Sequence, residues 1–302
     1  MYWAKKQYCF EKHLSNAAII SVVILLTGCA IGGMEAPDQG RLLSTAGVSQ
    51  IEGAGGAGLS NWATITGYGS RDSYGATAFA THVELEDFDM QAVGGAIGFK
   101  DRVELSYAYQ SFNLRDAGHE DGLRSDFRLN QNIIGAKVKV AGDLIYDQDT
   151  LLPQISIGAQ YKFSGDKKEV LDMGANSTSG VDVYASATKV FLDKSLLLSA
   201  TLRGTKANQF GLLGFGSENN TGYSAQFEGS AVYMLRRDLV VGADYRTKPD
   251  NLEGRGEDDA VAAYISWFPN KFLSLSAAAV DMGEIANRGR QRGLVASIQT
   301  GF

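Results

Sequence analysis

The chain has 302 residues, 44% of them apolar, with 36 glycines, only 4 prolines and a formal charge of -6. This balance excludes collagen-like and low-complexity disordered chains, and an acidic charge without basic clusters excludes a nucleic-acid surface, because phosphate binding concentrates Lys and Arg on one face. Both cysteines, Cys9 and Cys29, sit near the N-terminal end, which leaves the body of the chain without a disulfide framework.

Residues 1–28 read as a signal peptide. Lys5, Lys6 and Lys12 precede an apolar run at 17–26, and the small residues Thr27, Gly28, Cys29 and Ala30 follow it. The run is about half the ~20 residues that a membrane-spanning helix needs. No later segment approaches that length, so any crossing by the mature chain must be made by a closed sheet. Leu26-Thr27-Gly28-Cys29 has the form of a lipobox and makes Cys29 a lipidation candidate. Ordinary cleavage after Gly28-Cys29-Ala30 is the alternative, and a barrel anchored by its own wall gains little from acyl chains.

Residues 29–60 contain Gly53-Ala54-Gly55-Gly56-Ala57-Gly58, too rich in glycine for a regular element, and read as a linker or a plug. From residue 61 to 302 the chain falls into segments of about ten residues with period-two alternation, the signature of a transmembrane β-barrel. Val103, Leu105, Tyr107 and Tyr109 oppose Arg102, Glu104, Ser106 and Ala108; Leu239, Val241, Ala243 and Tyr245 oppose Val240, Gly242, Asp244 and Arg246. A soluble sandwich would alternate too, so the connections decide. Those around 100–101, 192–194, 236–238 and 269–271 are tight, whereas 114–125, 164–179, 207–222, 249–258 and 282–291 are long and polar or Gly-rich. Short periplasmic turns alternating with longer external loops are the outer-membrane pattern. Residues 142–152 break it, being a periplasmic connection that is not short.

Aromatic residues fit this orientation. Phe99, Phe191, Tyr233, Trp267, Phe272 and Phe302 lie near the short turns and would form a periplasmic girdle, with Tyr109, Phe163 and Tyr245 in the outer one. The expected fold is therefore all-β, an antiparallel transmembrane barrel of about 12 strands over 75–302. Residues 61–70 are left over, and either enter the lumen as a plug or pair with 42–51 to give 14 strands.

In the last segment Leu294, Ala296, Ile298, Thr300 and Phe302 share one face. A terminal aromatic preceded by apolar residues at every second position resembles the signal read by the barrel assembly machinery, which makes Phe302 an assembly-signal candidate. The runs Ala187-Thr188-Lys189-Val190-Phe191-Leu192, Thr205-Lys206-Ala207-Asn208-Gln209-Phe210, Tyr245-Arg246-Thr247-Lys248-Pro249-Asp250 and Trp267-Phe268-Pro269-Asn270-Lys271 resemble proteobacterial domain-of-unknown-function family 3034. The resemblance extends from about Leu42 to Phe302 and brings no activity with it.

Strand parity directs Arg102, Glu104, Lys162, Arg203, Glu228, Asp244 and Arg246 into the lumen, together with Glu84, Lys137, Lys139, Asp182 and His82. The signs nearly balance. A water-filled channel segregates such charges, and a narrow barrel pairs them. The apolar loop Gly211-Leu212-Leu213-Gly214-Phe215-Gly216 either folds into the mouth or rests on neighbouring loops, and the second is expected. His119-Glu120-Asp121 could serve a hydrolase or a metal, but a solvated loop tip is the simpler reading. No zinc spacing or catalytic triad can be assembled, and the acids at 250–259 read as a plain acidic loop. The sequence thus calls for no cofactor, with outer-membrane lipid and lipopolysaccharide as surroundings. Three functions follow: a channel for small hydrophilic solutes, a closed structural or ligand-binding barrel, and, last, a hydrolase using His119.

Overall fold

A computed structural model describes residues 41, 43, 44, 47–252 and 256–302. The signal segment, Cys29 and the first part of the linker, 29–40, lie outside the described residues, as does Glu253 in the acidic loop.

Two short strands, β1 (Val48–Ser49) and β2 (Gly55–Gly56), pair only with each other. The wall follows: β3 (Tyr74–Leu85), β4 (Asp89–Phe99), β5 (Val103–Asn113), β6 (Arg128–Ala141), β7 (Gln154–Ser164), β8 (Ser179–Phe191), β9 (Leu196–Thr205), β10 (Ser224–Arg236), β11 (Leu239–Arg246), β12 (Ala260–Asn270), β13 (Leu273–Glu284) and β14 (Arg290–Gly301). These twelve form an antiparallel meander closed by β14 against β3, from Gly293 opposite Leu85 to Gly301 opposite Thr77. A closed wall satisfies every strand edge with another strand, as lipid requires. The fourteen-stranded alternative is corrected: with β14 already bonded to β3 no gap remains for 42–51 and 61–70.

The alternation has a physical cause, since one face meets lipid and the other meets the interior. Leu105, Ile134, Ile157, Leu202, Leu294 and Ile298 are exposed on the outside. Tyr161 and Phe163 stack at 5.4 Å near the external end, and Phe99, Tyr233, Trp267 and Phe272 ring the periplasmic one. An exposed apolar belt on a closed barrel belongs in a bilayer, and with flanking girdles it is the architecture of the bacterial outer membrane.

The long periplasmic connection folds under the barrel instead of hanging from it. Asp143 Oδ1 accepts the Ile145 and Tyr146 amides, each at 3.1 Å. Leu144 then packs with Trp62, Val190, Leu197 and Phe268 in an apolar cluster at that end. At the external end a second cluster joins Val83, Leu85, Met90, Phe112, Leu129, Val280 and Met282 to loop residues Phe210, Leu212 and Leu213.

Candidate functional site

Residues 47–68 run through the interior of the barrel without pairing to its wall. Such a segment has unmet backbone groups, and the wall strands have spent theirs on one another, so side chains must supply the partners. Glu104 accepts the Gly55 amide at 3.0 Å and the Thr66 amide at 2.8 Å. Lys137 Nζ donates to the carbonyls of Gly55 and Trp62 at 2.9 and 3.1 Å, and lies 3.1 Å from Glu104. On the opposite side Asp244 accepts Leu59 N at 3.0 Å, Glu228 accepts Asn61 N at 2.7 Å, and Thr201 donates to Asn61 O at 2.7 Å. Thr188 and Gln154 hold the amide and carbonyl of Ala63. Glycine makes the path possible: Gly53 turns at φ +99°, and a Cβ on Gly56 would stand 2.2 Å from Ser60 O.

Glu52 is the segment's own ion. Its carboxylate lies 2.6 Å from Lys162 Nζ, 2.9 Å from Arg246 and 3.5 Å from Arg203. Arg203 also reaches Glu228 at 2.5 Å and Asp182 at 3.0 Å, and Lys162 reaches Asp182 at 2.8 Å. Lys162, Arg203 and Arg246 therefore face Glu52, Asp182 and Glu228 in one buried set of balanced sign. Charges taken out of water need this pairing, since an unmatched ion at low dielectric is costly.

Of the residues singled out for the lumen, Glu104, Lys162, Arg203, Glu228, Asp244 and Arg246 are buried and contact this segment or its ionic set. Arg102 is exposed, in the turn ahead of β5, and does not contact the segment's ionic set. Lys100 and Asp101 turn the chain at φ +50° and +48° just ahead of Arg102, whose carbonyl accepts Lys139 N at 2.8 Å. Glu84 and His82 are corrected, for both are exposed, 3.3 Å apart. The buried set of β3 is Phe79, Thr81, Val83 and Leu85, drawn inward by the apolar upper lumen. Sequence reasoning missed Glu52. The signal was there, because it is the one acid between Asp38 and Asp72 and stands beside a glycine run.

The apolar loop after β9 folds into the mouth, which overturns its expected place against neighbouring loops. Phe210 O accepts Lys162 Nζ at 3.1 Å, and the Phe210 ring lies 4.1 Å from the Arg246 guanidinium. The apolar upper lumen gives Leu212 and Leu213 more to pack against than a solvated loop surface offers. A latch holds the loop from above: the Glu257 carboxylate accepts Gln209 N at 2.9 Å, and Lys248 Nζ donates to Gln209 Oε1 at 2.8 Å. Burial pushes Glu257 up to about 7 and Lys248 down to about 8.

His119 is exposed on the short helical turn Arg115–Asp121. Among the described residues no group of three or more His, Cys, Asp and Glu side chains could hold a metal ion. Phe302 closes the seam by its backbone, donating to Ala76 O at 3.0 Å and accepting Ala76 N and Tyr68 N at 2.8 and 3.2 Å.

Wall, belt and interior together define an outer-membrane β-barrel whose lumen is occupied by its own chain. The family described as "Protein of unknown function (DUF3034)" matches residues 45–299, and the chain belongs to it. No curated protein matches the sequence. Among solved structures it is similar to the KdgM porin in complex with disordered oligogalacturonate, at 12% identity and a TM-score of 0.49, over 75% of this chain and 99% of that one. It is also similar to the NanC porin, at 9% and 0.47 over 75% and 98% of the two chains. A third likeness is to outer membrane phospholipase A from Escherichia coli, at 11% and 0.43 over 78% and 93%.

Proposed function

We propose that the protein is a barrel closed at rest by residues 47–68, acting as a plug, and that it binds small molecules within its wall instead of conducting freely. One observation carries this reading: Glu52 of the segment meets cations of β7, β9 and β11 inside the lumen. Paired charges fill an interior, whereas segregated charges shape a field for passing ions. Passage of small hydrophilic solutes is the second reading. A polar cleft at the periplasmic end, lined by Arg41, Thr64, Arg71, Asp101 and Asp143, favours it, and it requires the plug to move. Outer-membrane lipid and lipopolysaccharide around the belt, and the assembly machinery acting on Phe302, belong to the same proposal.

Reconstitution in a planar bilayer tests it. The full chain is expected to be silent, and a variant lacking 47–68 to show steady steps of conductance. Stepwise conductance by the full chain would favour the open channel.

A further inference from the structure

A second interior space lies between the segment and the wall of β12, β13, β14 and β3, and its chemistry differs from that of the ionic set. Ile51 and Leu59 face it from the segment, and Val83, Val280, Met282 and Val295 from the wall. Asp244 is the one charged side chain on its lining. Its carboxylate accepts Leu59 N at 3.0 Å and Ser230 Oγ at 2.7 Å, and among the described residues no Lys or Arg pairs with it. Tyr264 is on the same lining, laid across β11 because Gly242 has no side chain there; a Cβ on Gly242 would stand 2.5 Å from the ring. The Tyr264 hydroxyl is buried beside the Ser230 hydroxyl, but among the described residues it makes no hydrogen bond of good geometry.

We propose that this space binds a small, neutral, largely apolar molecule carrying one hydroxyl group, which sits beside Tyr264 and Asp244. The inference deepens the closed-barrel reading and rests on it, because the plug supplies one side of the site. Apolar cavities inside proteins stay dry and accept apolar molecules of matching size. Binding sites of this kind set a few polar groups in an apolar lining, and those groups select the ligand. A ligand hydroxyl can accept from Tyr264, at better geometry than Ser230 offers, and donate to Asp244, and so use both groups at once. A carboxylate ligand meets the opposite situation, a lone buried anion with no cation to offset it.

Three molecules of one shape separate these terms: p-cresol, p-xylene and p-toluate, titrated calorimetrically into the full chain in lipid nanodiscs, with empty nanodiscs as the control for partition into lipid. Saturable binding of p-cresol is expected, with p-xylene about three- to tenfold weaker, the span of one net hydrogen bond. No saturable binding of p-toluate is expected. Tyr264→Phe should bring p-cresol part of the way down towards p-xylene, since the bond to Asp244 remains, and leave p-xylene unchanged, and Ala278→Phe, which fills the space, should abolish both. Each variant is first checked for the heat-dependent gel mobility of a folded barrel. Binding of p-toluate as tight as p-cresol, or p-cresol binding untouched by either substitution, would overturn the site. A silent bilayer with no p-cresol binding leaves the plug standing and removes the ligand, whereas a conducting full chain removes the plug.

Discussion

Glu52 and Lys162 meet at 2.6 Å with neither side chain exposed to solvent, although 110 residues separate them in the chain. The contact ties an irregular segment to β7, and through Asp182 and Arg203 to the two strands that follow. It is also why three inward cations on alternate strands tolerate one another.

Replacing Glu52 with Gln leaves those three cations facing two carboxylates. Removing one partner of a buried ionic set costs about 3 to 5 kcal/mol. The temperature at which the barrel loses its folded gel mobility should fall accordingly, and Glu52→Gln combined with Lys162→Met should recover part of the loss. A single variant as stable as the wild type would show that the set is not what holds the segment.

The latch over the mouth should respond to pH through Glu257. Its folded value near 7 lies above its unfolded value near 4.5, so its contribution is fully present below about 4.5 and is lost as pH rises through about 7. Lys248 acts in the opposite sense: burial lowers it to about 8, and its contribution falls as pH drops through that value. Hydrogen exchange at the Gln209 amide, measured from pH 5 to 7, should therefore speed up beyond its intrinsic pH dependence, and Glu257→Gln should remove the excess. An excess unchanged in that variant would assign the response to another group.

Phe302 holds the seam through three backbone hydrogen bonds to Ala76 and Tyr68. A chain ending at Gly301 loses all three and leaves the start of β3 unpaired in a wall that tolerates no open edge. Outer-membrane levels of that chain should drop well below wild type, while its exported precursor accumulates. Equal levels would separate the seam from assembly.

Strand pattern was legible because lipid and interior impose opposite chemistry on successive residues. It failed where that contrast fails. At the external end of β3 the inside is apolar, so Val83 and Leu85 point inward and the polar His82 and Glu84 outward. The path of residues 47–68 left no periodic trace, since its partners are single polar atoms scattered over β3, β5 to β11 and β14. Loop 206–217 misled for a related reason: its apolar residues need a core, and that core is assembled only when the distant strands close.

The last prediction concerns Phe210, which adopts φ +61° at the bottom of that loop. Phe210→Gly relieves a left-handed backbone worth about 1 to 2 kcal/mol. It also deletes a buried ring, at about 3 to 5 kcal/mol, and the ring's contact with Arg246, at about 0.5 to 2 kcal/mol. The losses win, so the loop should detach from the mouth, and protection of the Leu212 and Leu213 amides should fall. Conductance should nevertheless stay absent, because the Glu52 set lies on the far side of the loop and is held by its own ion pairs. Removing residues 47–68 from the Phe210→Gly protein should then give larger steps than removing them alone, since two obstructions in series add their resistance. If Phe210→Gly by itself conducts, the loop is the barrier and the interior segment is not.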